Sequence, residues 1–496
     1  MIISFSLFLS LFVAVGLSSF FFSKKNKRDY YLASGEVQPF LVGLSAVATN
    51  NSGYMFVGLI GYVYAVGLQS IWLMVGWIAG DFIASTFVHH RLKAATLSSG
   101  EVSYAGVLSN WYGRKGKENK THENTQPNLQ RVIGILSLLF LLAYAAAQLV
   151  AGAKALQVLL DAPAWAGAVM GAALVALYCF VGGIRASIWT DAVQSLVMIF
   201  AMALLFWVAL NGMGGVEASI EKMNHIEGFL DWFPSELLLP GTAGALLFVL
   251  GWMFAGFSVI GQPHVMVRFM TLSSETGANS NTNSQSGFSN MARARFWYYL
   301  WFILFWSIAT GVGMLSRLYL TDAASFDSEL ALPTLAQQLL SPYLVGLILA
   351  GLFAATLSTA DSLVLGCSAA ISHDILPRNI QNTQSTVFIK LTTVAVTGLA
   401  LLWALANSTS VFDLVILAWS GLGSAFGPLL LVLCFNGRPT QRTSIIMVLS
   451  GIAVALLWRY YDLHNLVYEG VPGMLMGFMI YAGQKASVKL TAQVTS

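Results

Sequence analysis

Charged side chains are scarce here: Asp, Glu, Lys and Arg make up 9% of the 496 residues, against about 25% in an ordinary soluble domain. A chain that poor in charge cannot clothe a water-exposed surface, and no stretch is polar and long enough to form a soluble domain. Cysteine is nearly absent as well. Cys179, Cys367 and Cys434 all fall in apolar stretches, which argues for packing and against a disulfide framework or metal site. No His/Asp/Glu cluster has metal-ligand spacing, and His264 has no nucleophile partner in sequence, so a membrane enzyme is disfavoured. The first apolar stretch lacks a basic segment before it; its positive cluster follows instead, as in a retained anchor with the N-terminus outside and unlike a cleaved signal peptide.

What the chain does have is apolar length. With 57% hydrophobic residues and a mean hydropathy of +0.71, it reads as an all-α polytopic membrane protein. About 13 stretches reach the roughly 20 residues a bilayer needs: 2–22, 39–67, 70–88, 132–160, 163–181, 187–211, 239–262, 294–317, 343–373, 385–407, 410–435, 443–458 and 465–482. We call these spans 1 to 13. With the N-terminus outside and the C-terminus inside, about 21 of the 25 basic residues become cytoplasmic, including Lys24, Lys25, Lys27, Arg28, Arg114, Lys115 and Lys117. Lys154, Lys222, Arg317 and Arg459 remain outside. This asymmetry accounts for the net charge of +3 without nucleic acid. Among the polar loops, 273–290 is rich in Ser, Asn, Thr and Gly and reads as flexible. The acids of the external loops, such as Glu217, Glu227, Asp322 and Asp327, read as a solvated surface.

Span 9 carries Ala354-Ala355-Thr356-Leu357-Ser358-Thr359-Ala360-Asp361-Ser362 at bilayer depth. A carboxylate there is costly unless it faces a cavity, a partner or an ion. Ser358, Asp361 and Ser362 stand at i, i+3 and i+4, on one helix face. Two other spans look broken: span 2 at 45–53, and span 7 where Gly251, Gly256 and Gly261 lead into Gln262-Pro263-His264. Interrupted helices in corresponding positions of two halves point to a transport site. Their five-span separation fits an inverted repeat of spans 2–6 (39–211) and 7–11 (239–435), with 1–38, the external loop 212–238 and the C-terminal 436–496 outside it.

An unwound span 2 frees the carbonyls of Ala48 and Asn51. The Ala355 carbonyl and the Ser358 and Thr359 hydroxyls complete five neutral oxygens, a set suited to sodium, since a divalent ion usually brings carboxylates. The simpler alternative is that these hydroxyls bond back to carbonyls one turn earlier. Asp191 either caps span 6 or pairs with Arg185, or it forms a second cation site with Ser358, Asp361 and Ser362. Asp81 reads as a structural pair. Tyr144 and Gln148, at i and i+4, either bond each other or line a solute pocket.

The motifs 354–362, Gly261-Gln262-Pro263-His264 and Trp189-Thr190-Asp191, with 150–153 and 418–428, resemble the sodium:solute symporter family, in particular its bacterial sodium/proline branch. The likeness runs from about Tyr30 to Phe435. It implies a LeuT-type inverted-repeat core with sodium between spans 2 and 9, on Ala48, Asn51, Ala355, Ser358 and Thr359. Some relatives hold a second sodium on the positions of Asp191, Ser358 and Ser362, but have serine at the place of Asp361. Proline carriers tend to have an acid where this chain has Asn50, and aromatics at Ala255 and Val259; Tyr144 matches a tyrosine of their pocket.

The sequence therefore leads to the expectation of a sodium-coupled symporter, not an enzyme, in a bacterial plasma membrane. It would import a small organic solute, an amino acid such as proline or a similar molecule, and a monomer would suffice. The solute would sit near Asn50, Ser52, Tyr144, Gln148, Phe257, Ser258 and Gln262, where helix ends offer amide N–H groups to a carboxylate. Two rivals stand beside it: a proton-coupled carrier using Asp361 and Asp191, and a solute-binding membrane sensor. The second lacks an output module, since about 14 residues follow span 13.

Overall fold

The computed structural model describes residues 1–113, 126–274, 289–321, 326–377, 384–406 and 411–494. Arg114, Lys115, Lys117, Asp322, positions 407 and 410 and most of the tract 273–290 lie outside the described residues.

Among the described residues, ten helices are long and apolar enough to cross a bilayer. Two of these apolar stretches each hold parts of two crossings. Gly53–Ser99 contains the second half of span 2 and all of span 3, turning at Gly67, where φ is +71°. Ala164–Gly212 contains spans 5 and 6 and is redirected at Gly183, with φ +56° and ψ −140°. Only a residue without Cβ sits easily there, and a Cβ would also lie 2.5 Å from the Tyr30 carbonyl. The sequence reading had placed a short connection at this point; one glycine suffices. With Pro39–Asn50 opening span 2 and Gly470–Val494 at span 13, a helix stands at each of the thirteen expected spans.

Prolines open several spans at positions where a missing N–H costs nothing: Pro39, Pro127, Pro263 and Pro342. Side-chain oxygens cap others, Ser289 accepting from Ala292 and Thr440 from Thr443. Spans 9 and 11 form the centre, each 89% buried along its apolar window, whereas span 1 is 22% buried and spans 10 and 12 are 33% buried. Large side chains such as Phe200, Trp207 and Leu402 point outward and are more than half exposed. That inversion, polar residues inside and apolar ones outside, is what a hydrocarbon solvent demands.

Both breaks lie in the buried centre. Span 2 stops at Asn51 (φ −87°, ψ +58°) and restarts beyond Ser52; span 7 passes through an extended Gln262 (φ −91°, ψ +104°). The turn at span 7 lies hard against span 11: a Cβ on Gly261 would stand 2.8 Å from the Gly423 Cα, and one on Gly423 2.4 Å from the Ser258 Oγ. At one end of the molecule a single parallel bridge, Val37 to Leu272, ties the entrance of span 2 to the exit of span 7.

Candidate ion and solute site

The break in span 2 is held open by its neighbours. The Ser52 hydroxyl accepts from Tyr54 N–H and caps the second half-helix. Tyr144 O–H donates to Ser52 Oγ at 2.9 Å, and Gly53 N–H donates to Gln148 Oε1 at 2.8 Å. Tyr144 and Gln148 therefore do not bond each other. Gln148 satisfies a backbone N–H that the broken helix would otherwise bury unpaired, and Tyr144 holds the Ser52 hydroxyl that caps the second half-helix.

Span 9 meets this break through hydroxyls. Ser358 Oγ lies 3.1 Å from the carbonyls of both Ala48 and Ala355. Thr359 O–H donates to the Thr49 carbonyl at 3.0 Å. Asn51 ends the helix at the same place, and its side-chain oxygen accepts from Trp306 Nε1 at 3.1 Å. Ala48, Asn51, Ala355, Ser358 and Thr359 are all fully buried. The residues proposed as ligands for one cation thus converge from two helices, and the donor chemistry, neutral oxygen only, fits a monovalent hard ion.

One turn toward the Val37–Leu272 end lies a cluster that the sequence reading only half anticipated. Asp191, Asp361 and Ser362 do come together, but around the guanidinium of Arg268. Its Nη2 is 3.2 Å from Asp191 Oδ2 and 3.5 Å from Asp361 Oδ1, and it also bonds Ser187 Oγ and Ser362 Oγ. Ser45 donates to Asp191 at 2.6 Å, Ser187 to Asp361 at 2.8 Å, and Ser362 to the Ser358 carbonyl at 2.8 Å. Every one of these side chains is at most 2% exposed. A cation is thus already present where a second sodium was expected. It is a tethered one, and it leaves the trio one formal negative charge.

Two further expectations need correction. Arg185 pairs with Asp29 at 2.7 Å, not with Asp191, because it leaves span 6 toward the loop after span 1. Asp81 is not part of an ion pair among the described residues. It is fully buried, with the Tyr298 and Tyr299 hydroxyls beside it.

Between the break and spans 3, 8 and 11 lies a narrow, closed cavity lined by Asn50, Asn51, Tyr54, Met55, Trp77, Tyr144, Trp306, Val415 and Trp419. Asn50 donates to Tyr298 O–H at 2.6 Å. Of the residues expected around the solute, Asn50 and Tyr144 line this cavity, while Ser52 and Gln148 hold its edge. Ser258 and Gln262 are instead occupied in the fold: Ser258 bonds the Phe254 carbonyl and the Tyr468 hydroxyl, and Gln262 Nε2 donates to the Ser258 and Trp419 carbonyls. Phe257 packs on Phe254, outside the cavity lining. The aromatics that sequence reasoning missed come from three other spans. Trp419 donates its indole N–H to the Ala255 carbonyl at 3.1 Å, so span 11 supplies a wall of the cavity and is tied to span 7. Arg268 was missed too, although two carboxylates inside spans are themselves a signal for a buried cation.

Interrupted helices, a core of polar contacts and an apolar exterior define a helical membrane transporter. A solved Na+-coupled sialic acid symporter, in its substrate-bound outward-open state, shares this fold: TM-score 0.73, 18% identity, covering 96% of this chain and 95% of that one. Mhp1, a nucleobase-cation-symport-1 family transporter solved in a closed conformation, is also similar, with a TM-score of 0.59 and 15% identity over 94% of this chain and 96% of the other. The architecture is the LeuT type, as expected. The profile of the sodium:solute symporter family matches residues 30–451, and the chain belongs to that family. It is 29% identical to the sodium/proline symporters of Salmonella typhimurium and of Escherichia coli, in each case over 96% of this chain and 91% of the relative. It is 27% identical to the high-affinity proline transporter PutP of Bacillus subtilis, over 90% of both.

Proposed function

We propose that the protein is a sodium-coupled symporter for a small zwitterionic solute of the amino-acid class. The observation that carries this is the contact between Ser358 and the Ala48 and Ala355 carbonyls, with Thr359 on the Thr49 carbonyl. In the absence of an ion those hydroxyls donate to the carbonyls. A sodium ion drawn between them takes the hydroxyl and carbonyl oxygens as ligands and so pins spans 2 and 9 together. Ala48, Asn51, Ala355, Ser358 and Thr359 would hold that ion, and the solute would occupy the adjoining cavity against Asn50 and Tyr144. Because the break that frees the carbonyls also forms the cavity's edge at Ser52, each ligand orders the groups that the other needs. Reciprocal binding of this kind is the thermodynamic basis of coupling.

The names of the bacterial relatives support a solute of proline's size. Asn50, where proline carriers tend to have an acid, and Ala255 and Val259, where they tend to have aromatics, argue against assuming proline itself. At the site of the possible second ion, Arg268 supplies the positive charge that Asp191, Ser358, Asp361 and Ser362 would otherwise take from solution, so we propose a single sodium per cycle. The membrane potential then contributes about 2.3 kcal/mol per 100 mV for that one charge.

Uptake into proteoliposomes with and without an inward sodium gradient tests this. Sodium-dependent accumulation of a zwitterion is expected; accumulation driven equally well by a pH gradient in sodium-free buffer would replace sodium with the proton.

A further inference from the structure

The wall of the solute cavity is aromatic and uncharged. Trp306 and Trp419 stand with ring centres 5.7 and 5.1 Å from that of Trp77, inclined to it at 56° and 42°. Tyr54 is 6.2 Å from Trp77, and Tyr144 6.5 Å from Trp419. Rings tilted in this way are walls of a cage, not members of a stack, and their π faces attract a positive charge without requiring hydrogen bonds from it. Among the described residues, no acidic or basic side chain lines the cavity.

The hydrogen-bonding groups at the cavity are unequal. Asn51 Nδ2 and Trp77 Nε1 are buried donors without a partner, whereas Asn50 Oδ1 is a buried acceptor without one. Two donors suit a carboxylate. A primary ammonium brings three N–H groups to a cavity where, among the described residues, Asn50 Oδ1 is an unpartnered acceptor and the Tyr144 hydroxyl already donates to Ser52, and burying unmet donors is costly. A nitrogen carrying only carbon substituents has no N–H to satisfy. Asp81 adds an independent pull. It is fully buried one helical turn from Trp77 on the same face of span 3, and Tyr298, which stands beside it, receives the Asn50 amide. When ionised it favours a cation in the cage, and it does not line the cavity as an acceptor of its own.

We propose that the solute is an N-methylated zwitterion of the betaine type. Its substituted ammonium is held by Trp77, Trp306 and Trp419, and its carboxylate by the Asn51 amide and the Trp77 indole N–H. This proposal rests on the zwitterion symport proposed above and names its substrate class.

The test is equilibrium binding of glycine betaine, proline and glycine to the purified full-length protein in sodium buffer, followed by calorimetry. Glycine betaine is expected to bind at least tenfold tighter than proline. Trp77→Leu is expected to weaken betaine at least tenfold; Trp77→Phe, which keeps the π face and loses the indole N–H, is expected to weaken it less, and proline binding is expected to change less than betaine binding in Trp77→Leu. Proline or glycine binding as tightly as betaine or tighter would overturn the proposal, as would no betaine binding to the wild-type protein. Uptake separates the two claims. Betaine binding without sodium-driven uptake would defeat symport and leave the cage; sodium-driven proline uptake that a hundredfold excess of betaine fails to inhibit would defeat the cage and leave symport.

Discussion

Ser358 is the residue on which spans 2 and 9 both depend. Its hydroxyl is the one group within 3.1 Å of a carbonyl from each half of the proposed ion shell. Replacing it with alanine removes a ligand but leaves the Thr359 contact. Ser358→Ala is therefore expected to raise the sodium concentration for half-maximal uptake about tenfold, equivalent to about 1.4 kcal/mol. A sodium titration of uptake reads this, and an unchanged midpoint in the Ser358→Ala/Thr359→Ala double variant would remove the site from consideration. These residues were legible because a helix repeats every three to four residues, so 358, 361 and 362 declare a shared face from sequence alone. Arg268 was not legible in the same way: its partners Asp191 and Asp361 are 77 and 93 positions away, and no local pattern joins them. The cluster makes its own prediction. Arg268→Met leaves two carboxylates buried without a counter-charge and should cost roughly 3–5 kcal/mol of stability. Adding Asp361→Asn restores the original formal charge of the cluster and should recover part of the loss. Thermal unfolding in detergent measures both variants, and equal losses in the single and double variant would show that charge is not what Arg268 contributes.

Among the elements, the two broken spans were visible in sequence as Asn-Asn-Ser-Gly and Gly-Gln-Pro, but their extent was not. The polar run from Ser45 onward looked like the start of the break, yet the helix continues to Asn50. Ser45 and Thr49 do not compete with their own backbone because their hydroxyls serve other spans: Ser45 donates to Asp191, and Thr49 meets Ser362 at 3.1 Å. A hydroxyl loosens a helix only when it has nothing better to bond. The break in span 7 depends on close approach to span 11. Gly423→Ala would place a Cβ 2.4 Å from Ser258 Oγ and 2.9 Å from its Cα, and the second contact, to backbone, cannot be relieved by a rotamer change. A loss of about 1–3 kcal/mol is expected, with uptake falling further than folded yield, because the strain falls on the break in span 7. Unaltered uptake kinetics in that variant would mean the turn is free to shift. The loop after span 1 offers a test by pH. Burial pushes the Asp29 carboxyl up, but the Arg185 guanidinium, the Lys24 N–H and the Ser34 hydroxyl together hold it below its usual range. A depressed carboxyl contributes stability above its unfolded value, about 3.9, and loses it as pH falls through the lower folded value. Asp29→Asn should therefore flatten the acid limb of the unfolding curve below about pH 4, and an unchanged limb would show that the Asp29–Arg185 pair contributes little.

At the scale of the whole molecule, a span with a carboxylate and several hydroxyls at its middle is also among the most buried. Span 9 carries Ser358, Thr359, Asp361 and Ser362, yet 89% of its apolar window is inside the protein, while the featureless span 1 is mostly outside. The hydrophobic effect does not hold this arrangement, since lipid is as apolar as leucine. Polar contacts between helices do, and they keep spans 2, 6, 7 and 9 together as one site. The thirteen crossings follow from hydropathy, but which crossings touch could not be read without the family likeness, because a membrane helix that is apolar all round gives no amphipathic face to orient it. Orientation is another matter, for the distribution of basic residues leads to an expectation that can be tested. An N-terminus outside puts the Lys24–Arg28 cluster in the cytoplasm and the helix Val216–Asn224 outside. The three native cysteines are all buried, so a membrane-impermeant maleimide should meet little background. Glu217→Cys, exposed on that external helix, is expected to label in intact cells. Ala486→Cys, exposed near the end of the last helix, is expected to label only after permeabilisation. Labelling in the reverse order would turn the molecule over in the membrane, and the Arg268 cluster, which lies toward the Val37–Leu272 end, would then lie toward the outer face.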